Sequence, residues 1–232
     1  MSSNRWVKLV AVLAVAATAV GIGGARLPHA SAVGMSSSTG SPPSSFQHEI
    51  KEITAGDLPY TYHSGCPVPP EDLRLLVMSY RTFDGQNAQG KMVVHKDWAS
   101  PVVSMFHKLY DQDLPIARMQ LADDYQGSDD RSMEANNTSA FNCRSVTGRP
   151  GVWSQHSYGG AIDINPVQNP YISSRGTVLP SAGADYVDRS KTAPGMIHAG
   201  DPTVQAFASI GWFWGGAWTN TKDYQHFSYN NK

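Results

Sequence analysis

Residues 153–166 read WSQHSYGGAIDINP, and the way this stretch is read decides the fold. His156 is followed by Gly159 and Gly160, then by an apolar segment carrying Asp163, which Pro166 stops. One reading is a turn and a strand that contain a histidine without further consequence. The other is part of a metal site, in which the paired glycines allow a tight reversal that brings a turn histidine and a strand aspartate to one point. That reading requires a further ligand from elsewhere in the chain.

The chain has eight histidines, and most need no function. His29 lies in a leader-like segment, His48 and His63 lie near the start of the domain, His95 ends a strand and His107 sits on a helical stretch. His198, in GMIHAGD close to Asp201, is a secondary candidate. His226 stands apart because, like His156, it has an acidic companion: in DYQHF, Asp223 precedes it by three residues. Two imidazoles and one carboxylate make a three-ligand zinc set with a fourth position open to water. A second carboxylate beside that water can serve as general base. Ser154 and Ser157 flank His156, yet the chain has no G-x-S-x-G, no S-x-x-K and no H-E-x-x-H, so the common serine-hydrolase and helical metalloprotease patterns are missing.

Around this centre the chain divides into three parts. Residues 1–32 read as a secretory signal, with Arg5 and Lys8 ahead of an apolar core and Ala30-Ser31-Ala32 offering small residues for cleavage. Residues 33–46 are rich in Ser, Gly and Pro and read as a flexible tether. Residues 47–232 read as one domain. After cleavage the chain would carry 15 basic against 19 acidic side chains, a net charge of about −4, which is no footprint for nucleic acid. The expected location is outside the cytoplasm, as a monomer without stable membrane insertion after cleavage, with a retained membrane anchor as the competing reading. In that setting Cys66 and Cys143 are expected to pair; two buried thiols are the competing reading.

The periodicity predicts a short helix over 70–80 (PEDLRLLVMSY), a strand in GKMVVHK, and a helix in WASPVVSMFHKLYDQ with Pro101 near its first turn. It further predicts strands in PIARMQLAD, GAIDINP and YQHFSY, and a helix in PTVQAFASIG. Without a regular βαβ rhythm, this mixture points to an α+β domain built on a mostly antiparallel central sheet flanked by helices.

The pattern S-x-H-x-x-G-x-A-x-D, met at Ser154, His156, Gly159, Ala161 and Asp163, together with D-x-x-H at Asp223 and His226, resembles the zinc-dependent D-alanyl-D-alanine carboxypeptidases, which share the Hedgehog zinc-domain fold. GCPV, FDG, ANNTSAFNCR and GWFWGGAW extend the likeness over roughly 66–227, toward a branch found in exported actinobacterial proteins. The resemblance implies one Zn²⁺ held by His156, Asp163 and His226, Asp223 as catalytic base, and Ser154 as a substrate-holding residue. It implies peptidoglycan stem peptides as substrate and, with them, association with the cell wall. Cleavage between L-alanine and D-glutamate, or a non-catalytic zinc-stabilised wall-binding module, are the alternatives. One departure stands out: relatives often carry an arginine in a G-Y-R turn to steady the oxyanion, where this chain reads DDYQG with Gln126. Arg144 is the candidate replacement and Arg131 the alternate, with an ion-pair role as the competing reading of Arg144. Trp153, Trp212, Trp214 and Trp218 are candidates to wall the cleft or to pack in the core.

Overall fold

The computed structural model describes residues 45–232; the expected signal peptide and nearly all of the tether lie outside the described residues. Strand β1 (His48–Glu52) pairs antiparallel with β2 (Leu73–Arg81), which pairs on its other side with β3 (Asn87–His95). The helix expected over 70–80 is therefore a correction. Only Pro70–Asp72 turns, as a single 3-10 turn, before β2 begins. The run LRLLVMSY serves a middle strand: both backbone edges are taken by neighbours, and Leu73, Leu76 and Met78 are fully buried. An apolar run buried in this way carries no clean two-residue alternation.

His95 caps helix α1 (Lys96–Asp111), its ring accepting from the Asp97 amide. The helix buries Val102, Val103, Met105, Phe106 and Leu109, and Pro101 is carried inside it. Next come β4 (Arg118–Met119), α2 (Asp129–Glu134) and β5 (Asn137–Thr138), with β4 and β5 forming the one parallel pair among the described strands. The strand expected over 115–123 is thus only two residues long, because Ala122–Tyr125 closes into a 3-10 turn. A hairpin, β6 (Ser145–Val146) and β7 (Arg149–Trp153), leads to β8 (Ala161–Asp163). The chain ends through β9 (Tyr171–Ile172), β10 (Val178–Leu179), α3 (Pro202–Ala208), β11 (Phe213–Trp214), β12 (Lys222–Asp223) and β13 (His226–Ser228).

The architecture is mixed α and β, but there is no single central sheet. Three three-stranded sheets, ordered β1-β2-β3, β10-β9-β12 and β11-β13-β8, stand beside the two-stranded pairs. The larger core joins the first and the third of these sheets: Leu76 and Met92 of β2 and β3, with Phe106 of α1, cluster with Ile162, Phe207 and Phe227, and the Phe207 and Phe227 rings are stacked 3.8 Å apart. A second cluster, including Leu58, Leu73, Val93 and Phe141, surrounds Cys143. Cys66 and Cys143 are joined by a disulfide across 77 residues of sequence. In the chain-entropy view, closing so long a loop stabilises the fold by about 4.5 kcal/mol.

Candidate functional site

The 3-10 turn Gln155–Tyr158 presents His156, with Ser154 as its cap; the Ser154 hydroxyl accepts from the His156 amide at 3.4 Å. Gly159 ends the turn at φ 63°, and a Cβ there would stand 2.4 Å from the His95 nitrogen, whose amide Gly159's carbonyl accepts at 3.0 Å. Only glycine meets both demands. Gly160 serves differently: it lets the Tyr229 ring approach closely.

Register brings the other two members in. Asp163 on β8 lies directly opposite His226 on β13. Both main-chain groups of Asp163 bond to Ser139 on its other side, at 2.9 and 3.1 Å. The Asp163–His226 pair is therefore the closely spaced, non-hydrogen-bonded kind, in which side chains meet best. All three residues are at least 94% buried.

The ring orientations are fixed from behind. His156 Nδ1 donates to the Ala140 carbonyl at 2.6 Å, and His226 Nε2 donates to the Lys232 main-chain oxygen at 3.0 Å. A neutral ring then has only a lone pair on its other nitrogen. His156 Nε2 lies 3.2 Å from Asp163 Oδ2, His226 Nδ1 lies 3.1 Å from Asp163 Oδ1, and the two ring nitrogens are 3.3 Å apart. Converging acceptors repel one another unless positive charge sits among them, as protons on the rings or as a metal cation. The electrostatics agree: burial opposes charge on Asp163, yet the facing histidines hold its carboxyl well below the usual range. Burial also opposes charge on His226, and the Asp163 hydrogen bond and charge outweigh it and raise its pKa. Two imidazoles and a carboxylate with all ligand atoms within 4.8 Å of one another, and carbonyl oxygens behind the rings, fit zinc. His63, Cys66 and Cys143 also cluster, but their sulfurs are bonded to each other.

The three residues line a cleft of about 830 Å³, together with Asp223, Ser154, Arg144, Trp153 and Trp218. Asp223 Oδ1 is shielded from water and has no hydrogen-bond partner. Burial pushes the Asp223 carboxyl up to about 7; His226 and His156 oppose the rise, while Asp163 and Asp129 add to it. Gly215 makes room behind it, since a Cβ there would lie 2.8 Å from the Asp223 carbonyl oxygen and 3.4 Å from His226 Cβ. Arg144 reaches the cleft with its Nη2 held by Asp129 Oδ2 at 2.8 Å, so it is both a cleft residue and an ion-pair residue. Arg131 is exposed on α2, Gln126 is exposed at a left-handed turn position, and neither lines the cleft. Trp153 and Trp218 wall the cleft, whereas Trp212 and Trp214 pack in the core. His198 lies outside it, its ring bonded to the Lys191 carbonyl and close to Asp201.

Residues 147–229 match the family model described as D-alanyl-D-alanine carboxypeptidase. This region belongs to that family. The matched segment contains Ser154, His156, Asp163, Asp223 and His226, and the match supports a peptidase. Arg144 and Asp129 lie ahead of the carboxypeptidase-family segment. No curated protein and no solved structure gives a significant match.

Sequence reasoning missed the groups that orient this candidate site. Ala140 and Lys232 act through main-chain oxygens, which no residue type advertises. Asp129 escaped notice as well, because its arginine partner is 15 positions away, although SDDRSM could have flagged an acidic neighbour for Arg144.

Proposed function

We propose that the chain is an exported, zinc-dependent D-alanyl-D-alanine carboxypeptidase that trims peptidoglycan stem peptides. The observation that carries this is the buried convergence of His156 Nε2, His226 Nδ1 and the Asp163 carboxylate beside the unpartnered Asp223 Oδ1, inside the family-matched segment. Export rests on the leader sequence. Among the described residues, no helix is long and apolar enough to cross a membrane.

His156, Asp163 and His226 would hold zinc, which when bound supplies a Lewis acid for the scissile carbonyl and makes water more acidic. Asp223 takes a proton from the attacking water and delivers it to the amine nitrogen as the amide C–N bond breaks. A carboxyl placed near 7 suits that transfer at neutral pH. Arg144, aimed by Asp129, donates to the oxygen that gains negative charge. Ser154 Oγ accepts from the His156 amide, which leaves its O–H to donate to a substrate carbonyl in the cleft it lines. Trp153 and Trp218 exclude water from the flanks of the peptide.

Incubation with defined muropeptides and mass analysis of the products tests the reading. Loss of a single terminal D-alanine is expected. Internal cleavage overturns the carboxypeptidase assignment, and intact substrate overturns the peptidase.

A further inference from the structure

The stretch after β13 folds back onto the site. His226 Nε2 donates to the Lys232 main-chain oxygen at 3.0 Å, and the Ser228 hydroxyl donates to that same oxygen at 2.9 Å. Ser228 Oγ in turn accepts from the Lys232 amide at 3.1 Å, so one fully buried hydroxyl clamps both ends of that residue. Asn231 makes the reversal at φ 60°, and its Oδ1 accepts from the Trp218 indole at 2.9 Å. Trp218 itself stands against the His226 ring, 5.6 Å between centroids. Ser228 thus holds that oxygen directly, Asn231 shapes the turn that carries it and ties the turn to Trp218, and the oxygen faces the ring nitrogen turned away from Asp163.

We propose that residues 228–232 are a positioning clasp for His226: by holding the Lys232 oxygen at Nε2, they fix the proton there and leave Nδ1 as the electron pair facing Asp163 and His156. Without this acceptor the ring can place its proton on either nitrogen and rotate about its side-chain bonds, and both changes weaken a ligand. The clasp acts through His226 and touches no reacting atom. Its value as a metal-site device rests on the zinc reading above, whereas its effect on the ring does not.

Ser228→Ala and Asn231→Ala in the full chain test it by two measurements. In metal-free protein, imidazole ¹H–¹⁵N spectra should show a slowly exchanging His226 Nε2–H proton in the wild type and its loss in both variants. Chelator competition should then show zinc bound about tenfold more weakly, the scale typical of lost outer partners of ligating histidines. An Nε2–H signal that persists in both variants overturns the clasp, as does weaker zinc binding with that signal intact. If Ser228→Ala does not fold, Asn231→Ala carries the test, because its side chain is exposed. A wild-type protein that takes up no zinc would count against the proposed function, while the Nε2–H comparison would still decide the clasp.

Discussion

At the scale of single residues, Asp223 carries an uncompensated cost in the site. A buried carboxylate oxygen without a partner costs about 1–3 kcal/mol, and Asp223 Oδ1 is in that state. Residues that carry such a cost near a cleft are candidates for chemistry rather than for packing. Asp223→Ala should therefore keep zinc, measured as metal per chain, and should not lower the melting temperature. Its peptide hydrolysis should drop by about 10²–10⁴-fold, the usual contribution of a positioned acid–base group. Full activity in this variant would contradict the role. Asp223 was readable in the sequence because D-x-x-H is a local spacing. The groups that orient its neighbours were not, since the Ala140 and Lys232 oxygens are placed only once the chain has folded.

At the scale of elements, the site is assembled by a turn, a register and a hairpin-like return. The turn needs Gly159: an alanine would adopt a left-handed conformation costing about 1–2 kcal/mol and would press its Cβ to 2.4 Å from the His95 nitrogen. Gly159→Ala should destabilise the domain by more than 2 kcal/mol or so in urea unfolding; a change under about 0.5 kcal/mol, the range of neutral surface substitutions, would show that the turn tolerates a side chain. The glycine pair was legible as a reversal, though only Gly159 takes the positive φ and Gly160 serves Tyr229. The strands next to the site, β8 and β13, also showed in the sequence, β8 within a short apolar run between Gly160 and Pro166 and β13 within the aromatic-rich stretch YQHFSY. β2 did not. Its run of leucines is buried in the middle of a sheet, and spacing alone does not separate such a run from one face of a helix.

For the whole molecule, the site depends on several small sheets brought side by side. The β11-β13-β8 sheet carries Asp163 and His226, the β10-β9-β12 sheet carries Asp223, and the segment bearing Arg144 follows directly on the disulfide-bonded Cys143. Mixed α/β character could be read from the pattern of elements, but the division into several sheets could not, because two-residue strands such as β11 and β12 are set by partners distant in sequence. The arrangement makes one claim above the others: three buried acceptors converge because a cation belongs among them. Metal analysis of carefully prepared wild-type protein, before and after zinc titration, tests that claim most directly, with His156→Ala as the comparison. One zinc per chain in the wild type and sharply weakened uptake in the variant are expected. Less than about 0.1 zinc per chain with no uptake on titration, or unchanged binding in His156→Ala, would contradict it.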